Sequence, residues 1–410
     1  MSRSRSTAMP ENSETTQSWL EVQARYLRRY RKQRTVFNVL DRALSVVFPG
    51  NPSSAGTPPA PRKLLVCNYG HLGDLLITTS LLPALKQAFP DVEIGLLTGT
   101  WNKTVVEGNP LISRVHFLDH WFQVRSAASF GTKLKDYWRG LPALVRELKA
   151  IGYDTAVDLR PWFPNSIPVL WLARIPVRIG FDRVGFEPLL SHSVAFEYDR
   201  RHERDHQATP LRKLPLVGAL LDELPLRWLT PTESGRSIVQ ARASMQAPPR
   251  YVILHTGAST PVRNWTEEGW KELAKKVLAT GARPVFTGLG AAQEEVIARI
   301  TRDIPEAIDL CSKLSWRELV AVIADAETVY CVETSVGHLG GALGVPVVAI
   351  YGGMQDPQQW RPAGRRVALV THELSCSPCF QRTGCEHLSC LRNIPVTDVW
   401  RAGSQLTAPP

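Results

Sequence analysis

The fold is decided by residues 64–85, which have the sequence LLVCNYGHLGDLLITTSLLPAL. The first six residues are apolar except for Asn68 and predict a buried strand, and the last part has the length and pattern of a helix. Between them lies a turn with Gly70 and Gly73, followed at once by Asp74. Backbone N–H groups at such a helix start favour anions. The segment therefore predicts one unit of a parallel sheet, with a carboxylate that is either functional or a helix cap.

The same alternation of strand and helix occurs on both sides of a Pro-rich passage. Apolar runs alternate with helical stretches from Lys63 to residue 180 and again from residue 251 to 351, which is typical of parallel sheets. Residues 181–207 lack clear periodicity and are predicted to form a long loop system. The predicted strands are 64–69, 93–98, 115–118, 154–158, 177–180, 251–255, 284–287, 328–332 and 345–351. The predicted helices are 74–88, 136–150, 165–173, 265–279, 291–303, 315–324 and 336–343.

The composition limits the class of protein. The chain has 410 residues, of which 44% are hydrophobic and 21% charged, so two globular α/β domains are expected, at 63–235 and 236–410. No apolar run of about eighteen residues and no secretory signal is present, which favours a cytoplasmic protein. Seven cysteines in a chain of this size do not suggest a disulfide scaffold.

Residues 1–62 are predicted to form a basic arm that ends in a Pro/Gly/Ser-rich linker at 50–62. Residues 1–63 contain eleven Lys/Arg and four Asp/Glu, and so account for seven of the ten net positive charges. Cations and apolar residues alternate at helical spacing, which predicts a basic amphipathic helix or helix pair. A helix packed on the body and a helix that adsorbs to an anionic membrane surface are both consistent with this pattern. No nucleic-acid module signature is present, and no nucleic-acid partner is expected.

Two loops in the second half follow predicted strands, where parallel sheets bind their ligands. Residues 255–265, HTGASTPVRNW, combine small residues and hydroxyls with Arg263. A backbone nest with hydroxyls and a guanidinium suits a pyrophosphate, although ordinary helix capping is an alternative. Residues 288–295 place Glu294 in the first turn of a helix, where the helix dipole alone favours an acid but a Glu can also hold ribose hydroxyls.

A third loop, at residues 332–353, places Glu333, Thr334 and Ser335 at a strand end. His338 and a glycine-rich helix start follow it. The small residues allow a ligand to approach the backbone closely. Taken alone, His338 is better explained as a structural histidine with satisfied hydrogen bonds.

Together with residues 64–85, these loops resemble glycosyltransferase family 9, the ADP-heptose:lipopolysaccharide heptosyltransferases and their relatives. The resemblance covers about residues 63–400 and lies in four motifs in order. These are Gly70-His71-Leu72-Gly73-Asp74, HTGAS with Arg263-Asn264-Trp265, the segment from Glu333 to Pro346, and YGGMQDPQQWRPAG at 351–364. The chain departs from the family pattern where Gly70-His71 replaces two serines, where Arg263 replaces lysine, and where Glu333 and Ser335 replace aspartate and glycine.

The resemblance implies a GT-B fold, in which two Rossmann-like domains face each other across a cleft. It implies an inverting glycosyltransferase at the inner face of the cytoplasmic membrane, with ADP-heptose or a related nucleotide sugar as donor and a lipopolysaccharide core or other glycan as acceptor. By resemblance, Asp74 is the general base, and Gly70, His71 and Gly73 lie on the acceptor side. Glu294 would hold the ribose, and Leu314 would line the adenine pocket. The implied donor-binding residues are Thr256, Ser259, Thr260, Arg263, Glu294, Leu314, Glu333, Thr334, Ser335 and His338.

Other functions stay open on these motifs. A glycosyltransferase acting on a protein or a secondary metabolite would share them. A nucleotide-sugar 2-epimerase would share the fold but would release free sugar and nucleotide without an acceptor. A dehydrogenase is disfavoured, because the turn at 68–74 lacks the full G-x-G-x-x-G spacing.

Four cysteines near the C-terminus have the spacing C-x2-C-x5-C-x4-C: Cys376, Cys379, Cys385 and Cys390. Four thiols can hold zinc or iron in a tetrahedral site, and a set of reduced cysteines in a structured loop is the alternative. In the protein-modifying relatives of the family, a comparable cluster holds iron. The sugar transfer itself requires no cofactor, and a magnesium ion at the donor diphosphate is left open.

Overall fold

The computed structural model describes residues 13–48, 56–199, 201–223, 250–381 and 383–407. The predicted domain boundary at 235/236 and most of the Pro-rich passage lie outside the described residues, as does the first half of the predicted linker.

The first half of the chain forms a parallel six-stranded sheet in the order β3-β2-β1-β4-β5-β6. Its strands are β1 (Lys63–Cys67), β2 (Glu93–Thr98), β3 (Arg114–Phe117), β4 (Thr155–Asp158), β5 (Val177–Phe181) and β6 (His192–Val194). The helices of this half are α1 (Ser13–Val47), α2 (Leu72–Thr79), α3 (Leu82–Ala88), α4 (Lys103–Val106), α5 (Phe130–Ile151), α6 (Ile167–Leu172), α7 (Glu203–Leu211) and α8 (Val217–Glu223).

The second half forms another parallel six-stranded sheet, in the order β12-β11-β10-β7-β8-β9. Its strands are β7 (Tyr251–His255), β8 (Arg283–Thr287), β9 (Ile308–Asp309), β10 (Val329–Val332), β11 (Val347–Tyr351) and β12 (Val367–Thr371). Its helices are α9 (Glu267–Leu278), α10 (Ala291–Thr301), α11 (Trp316–Ala324), α12 (Ser335–Leu343), α13 (Pro357–Trp360), α14 (Ser389–Arg392) and α15 (Val396–Thr407).

Both sheets have the doubly wound order 3-2-1-4-5-6 when the strands of each half are counted separately. The central strands are apolar on both faces, and every residue of β7 and β11 is buried, as expected for parallel strands covered by helices. All strands run parallel, and the order in which they are added to the sheet reverses between β1 and β4 in the first sheet and between β7 and β10 in the second. These two switch points are where such sheets bind ligands. The predicted α/β architecture of two Rossmann-like domains is confirmed.

Two predictions of local structure were wrong. The helix predicted over 74–88 is two helices, α2 and α3, because the chain bends at Ser80 and Pro83 begins a new helix near its first position. The loop system predicted over 181–207 contains strand β6 and the start of α7. Histidines in both elements interrupt the apolar pattern from which they could have been predicted. His192 begins β6, His202 is the N-cap of α7, and His206 is buried inside α7.

In the described part of the basic arm, residues 13–48 and 56–62, one helix is present, α1, and it packs against the body. Val22 and Tyr26 are buried in an apolar cluster with Tyr198 and Phe380. The ring of Tyr26 stacks on that of Tyr198, with centroids 3.9 Å apart. The opposite side of α1 is exposed and mixes cations with apolar residues. It includes Leu27, Arg28, Arg29, Arg31, Lys32, Val36, Val39, Val46 and Val47.

Candidate active site

Asp74 lies at the start of α2, directly beyond the end of β1. Its Oδ2 accepts a hydrogen bond from the backbone N–H of His71 at 2.8 Å. The turn is tight, since a Cβ on Gly70 would lie 2.3 Å from the Cβ of Asp74. Only glycine fits at position 70, and the glycine lets the chain fold back over the carboxylate.

A buried polar network supports this turn from below. Asn68 Oδ1 accepts from the backbone N–H of Gly70 at 2.7 Å, and its Nδ2 donates to the hydroxyl of Thr78 at 2.9 Å. The Thr78 hydroxyl in turn donates to Gln207 Oε1 at 2.7 Å. All three side chains are buried. A fully bonded network of this kind holds a single conformation, so the turn from Gly70 to Asp74, called the base turn here after the predicted role of Asp74, is rigid.

The loop after β7 carries polar atoms that no protein group satisfies. Thr256 Oγ1, Thr260 Oγ1 and Arg263 Nε are all buried and have no hydrogen-bond partner within the described residues. Asn264 Oδ1 closes the loop by accepting from the N–H of Ala258 at 3.0 Å. An unpaired buried polar atom costs about 1–3 kcal/mol, so three in one loop point to a ligand with acceptor oxygens.

Arg263 is paired with a carboxylate from the loop after β10. Its Nη2 lies 3.3 Å from Oε1 of Glu333, and the exposed fractions of the two side chains are 23% and 8%. Burial raises the pKa of Glu333, and the charge of Arg263 opposes that rise. The structure therefore brings together two residues that the sequence placed separately in the donor site.

His338 on α12 faces the base turn of the first domain. A Cβ on Gly73 would lie 3.2 Å from Cδ2 of the His338 ring. Burial lowers the pKa of His338 to about 4, and the nearby carboxylate of Asp74 opposes this shift. Nδ1 of His338 is buried and has no hydrogen-bond partner within the described part of the chain. A neutral imidazole with an available nitrogen thus lies beside the carboxylate.

His71 lies between the carboxylate and several cations. Burial is the main cause that lowers the pKa of His71 to about 4, and the charge of Arg125 is the next. The charge of Asp74 raises this pKa, whereas the charges of Arg160 and Arg263 lower it further. Asp74 and Arg263 therefore act on the same imidazole from different domains. The cleft at this point is rich in positive charge.

The other predicted donor residues lie at the rim of the second domain. Ser259 and Glu294 are exposed, whereas Thr334 and Ser335 are half-buried at the start of α12. Leu314 is half-buried against the apolar core. The loops that carry Glu294 and Leu314 are tied together, since the N–H of Gly290 donates to the hydroxyl of Ser312 at 2.9 Å.

All seven cysteines are free thiols. Burial is the largest cause that raises the pKa of Cys379, and the charges of Cys376, Cys385 and Cys390 each add to the rise. The other three clustered thiols therefore lie near Cys379. Across the described residues, no three His, Cys, Asp or Glu side chains come together in an arrangement that could hold a metal ion. The zinc, iron and magnesium sites stay predictions.

Sequence reasoning missed three residues near the base. Glu203 and Gln207 on α7 and Gln359 on α13 are all buried around the Asp74 turn. Gln359 lies within the YGGMQDPQQWRPAG segment, which offered a signal. Glu203 and Gln207 fall in the stretch interpreted as loop, where no pattern singled them out.

Among the helices of the described ranges, none is long and apolar enough to cross a bilayer.

Known proteins share both the sequence pattern and the fold. The model of glycosyltransferase family 9 (heptosyltransferase) matches residues 141–388, more than half of the chain. Lipopolysaccharide heptosyltransferase 1 of Pseudomonas aeruginosa is 24% identical over 329 residues, which are 78% of this chain and 87% of that protein.

Two solved structures share the fold at low identity. A glycosyl transferase family 9 protein from Veillonella parvula superposes with a TM-score of 0.69 at 20% identity, over 87% of this chain and 99% of that one. The ADP-heptose lipopolysaccharide heptosyltransferase II of E. coli gives a TM-score of 0.66 at 19% identity, over 84% and 98% of the two chains. The fold is therefore GT-B, and the chain belongs to glycosyltransferase family 9 and is a glycosyltransferase.

Proposed function

We propose that this enzyme transfers a heptose from an ADP-sugar to a hydroxyl of a lipopolysaccharide core acceptor, with inversion at the anomeric carbon and with Asp74 as general base. The observation that carries the proposal is the pairing of two half-sites. Asp74 and His71 lie in one turn of the first domain, and Arg263, in the second-domain loop with Thr256 and Thr260, is close enough for its charge to lower the pKa of His71. The names of the relatives, which are lipopolysaccharide heptosyltransferases, support the choice of sugar and acceptor.

The mechanism follows from these two half-sites. Asp74 takes the proton of the acceptor hydroxyl, and the oxygen attacks the anomeric carbon on the face opposite the diphosphate. The bond from that carbon to the diphosphate breaks, and ADP leaves with the electron pair. Arg263 and the two threonine hydroxyls stabilise the developing charge, which is where preorganised donors contribute most. A single displacement inverts the configuration.

The arm belongs to the same proposal. The exposed side of α1 carries cations and valines, a combination that suits an anionic membrane surface. We place the enzyme at the inner face of the cytoplasmic membrane, where a lipid-anchored acceptor is presented.

The test is Asp74→Asn, which keeps an oxygen to accept from the N–H of His71 but removes the base. The rate of transfer is expected to fall by about 10²–10⁴-fold, the usual contribution of a general base. The free energy of unfolding is expected to stay unchanged. The assay measures ADP release from ADP-L-glycero-β-D-manno-heptose with and without a heptose-free core acceptor. Asp91→Asn, an exposed carboxylate in the same domain, is the matched control.

Two outcomes would contradict the proposal. Near-normal transfer by Asp74→Asn would remove Asp74 from the role of base. Release of ADP and free sugar at the same rate without acceptor would favour an epimerase or hydrolase over a transferase.

A further inference from the structure

We propose that Glu203 is a positioning residue for Asp74, and that it joins the base turn to the C-terminal domain. The inference rests on the proposed role of Asp74 as general base. Glu203 is the first residue of α7, and only 1% of it is exposed. It is buried without forming an ion pair within the described residues, which is unusual for a carboxyl group.

Gln207 connects Glu203 to the base turn. Its Nε2 lies 3.4 Å from Glu203 Oε1 and 3.4 Å from the backbone carbonyl oxygen of Asp74, and donates to both. Its Oε1 accepts from Thr78, which belongs to the network under Gly70. A shift of Glu203 would therefore move the amide that contacts the backbone of Asp74 itself.

The other oxygen of Glu203 reaches the second domain. Gln359 Nε2 on α13 donates to Glu203 Oε2 at 3.5 Å, across 156 positions of sequence. The neighbouring His202 makes a parallel contact, since its Nε2 lies 2.8 Å from the backbone carbonyl oxygen of Arg361. The start of α7 is thus hydrogen-bonded to α13 and to the segment after it. Through Gln207, the same part of α7 also contacts the base turn.

Charged and titratable groups surround Glu203 from several elements. Burial raises the pKa of Glu203 to about 8, and the charge of Asp74 on α2 adds to the rise. Arg160, in the loop after β4, opposes it, as do the hydrogen bonds from Gln207 and Gln359. Tyr26 on α1 is also close enough for the charge of Glu203 to raise its pKa. Two histidines complete the surroundings: His202 is the residue before Glu203, and its charge lowers the pKa of His338, which the charge of Asp74 raises.

A neutral Glu203 keeps the amide contacts without repelling Asp74. When the pH rises and Glu203 ionises, two carboxylates come to share one buried region, and their repulsion disfavours this arrangement. We therefore expect turnover to fall as the pH rises through the range in which Glu203 loses its proton.

The experiment compares Glu203→Ala, Glu203→Gln and Gln359→Ala with the unmodified full-length enzyme in the transfer assay from pH 6 to pH 9.5. Glu203→Ala should lower kcat by about 10–100-fold and leave the KM for the donor within about twofold, because it disturbs the base and not the donor loop. In Glu203→Gln the new amide oxygen accepts from Gln207, and the new amide nitrogen donates to the oxygen of Gln359 once that amide turns over. This variant should restore kcat at pH 7 and remove the alkaline fall. Gln359→Ala should lower kcat by less than Glu203→Ala, since only the contact to the second domain is lost.

The control is Glu187→Gln, the same substitution at another carboxyl of the first domain whose pKa burial also raises. Its pH profile should match that of the unmodified enzyme. A Glu203→Gln variant that keeps the alkaline fall, or a folded Glu203→Ala variant with normal kcat, would overturn the proposal. If Glu203→Ala fails to fold, the pH profile of Glu203→Gln decides. Activity in Asp74→Asn would refute the general base instead, so the two failures are distinguishable.

Discussion

Replacing Arg263 by Gln is expected to destabilise the second domain in a way that depends on pH. The guanidinium lies 3.3 Å from the carboxylate of Glu333, which is 8% exposed. At this separation and an effective dielectric constant of about 20, the Coulomb attraction is about 5 kcal/mol before desolvation. Breaking a buried pair costs about 3–5 kcal/mol, and the 23% exposure of Arg263 reduces this to about 2–3 kcal/mol.

The sign of the pH dependence follows from Glu333. Burial already raises its pKa in the folded protein, and loss of Arg263 removes the charge that opposes the rise. When a carboxyl group has a higher pKa in the folded state than in the unfolded state, the free energy of unfolding of the protein falls as the pH rises toward the folded-state pKa. The cost of Arg263→Gln should therefore be largest at pH 8. It should be clearly smaller at pH 5, where Glu333 is mostly protonated in the folded variant, and should vanish only below the ordinary glutamic acid pKa of about 4.3, where Glu333 is protonated in both states.

Urea unfolding at pH 5 and pH 8 measures this difference, with Glu333→Gln and the double variant completing a mutant cycle. The double variant should recover most of the stability lost in Arg263→Gln, because no buried charge is left alone. Donor-dependent transfer should stay low in the double variant, since the diphosphate still lacks its cation. Equal destabilisation at both pH values, or a double variant no more stable than Arg263→Gln, would refute the reasoning.

Two further predictions concern the donor loop and the arm. Thr256→Val and Thr260→Val should keep or slightly raise the free energy of unfolding, because each removes an unpaired buried hydroxyl. They should reduce the rise in melting temperature that we expect ADP to produce in the unmodified enzyme. Thr287→Val is the contrast and should lose stability, since its hydroxyl is bonded to His255 Nδ1 at 2.9 Å. The triple variant Arg28→Gln, Arg29→Gln and Arg31→Gln should bind anionic vesicles about 100-fold more weakly, at about 1 kcal/mol per charge. The control is a triple variant that neutralises three exposed cations of the second domain: Lys275→Gln, Arg302→Gln and Arg365→Gln. It should bind vesicles as the unmodified enzyme does. Equal binding by both triple variants would contradict a role for α1.

The sequence predicted the central strands well because their pattern is simple. Strands such as β1 and β7 are covered on both faces, so they consist of continuous apolar runs bounded by turn residues. The missed strands lie at or next to the sheet edges. β9 has two residues and β6 has three, while β12 is half-exposed along most of its length. Short or half-covered strands lack the apolar run that identifies the others.

The candidate site was predicted where its residues are contiguous and missed where distant segments meet. Asp74 and the loop around Arg263 each follow a strand, so the position of the strand predicts where they lie. The contact between Glu203 and Gln359 joins residues 156 positions apart. Nothing in local periodicity specifies such a pair, because it depends on how one domain docks on the other.

The two sheets have the same strand order, but under the proposed mechanism neither domain is a complete enzyme. Each first strand ends at a switch point, but the two turns carry opposite chemistry: a carboxylate after β1 and a guanidinium with unpaired hydroxyls after β7. A general base without the cationic loop cannot stabilise a leaving diphosphate, and the loop without the base cannot activate an acceptor. If Asp74 is the general base, turnover depends on how closely Gly73 and His338 approach across the cleft. The proposal for Glu203 then makes its contact with Gln359, which also joins the two domains, a determinant of rate.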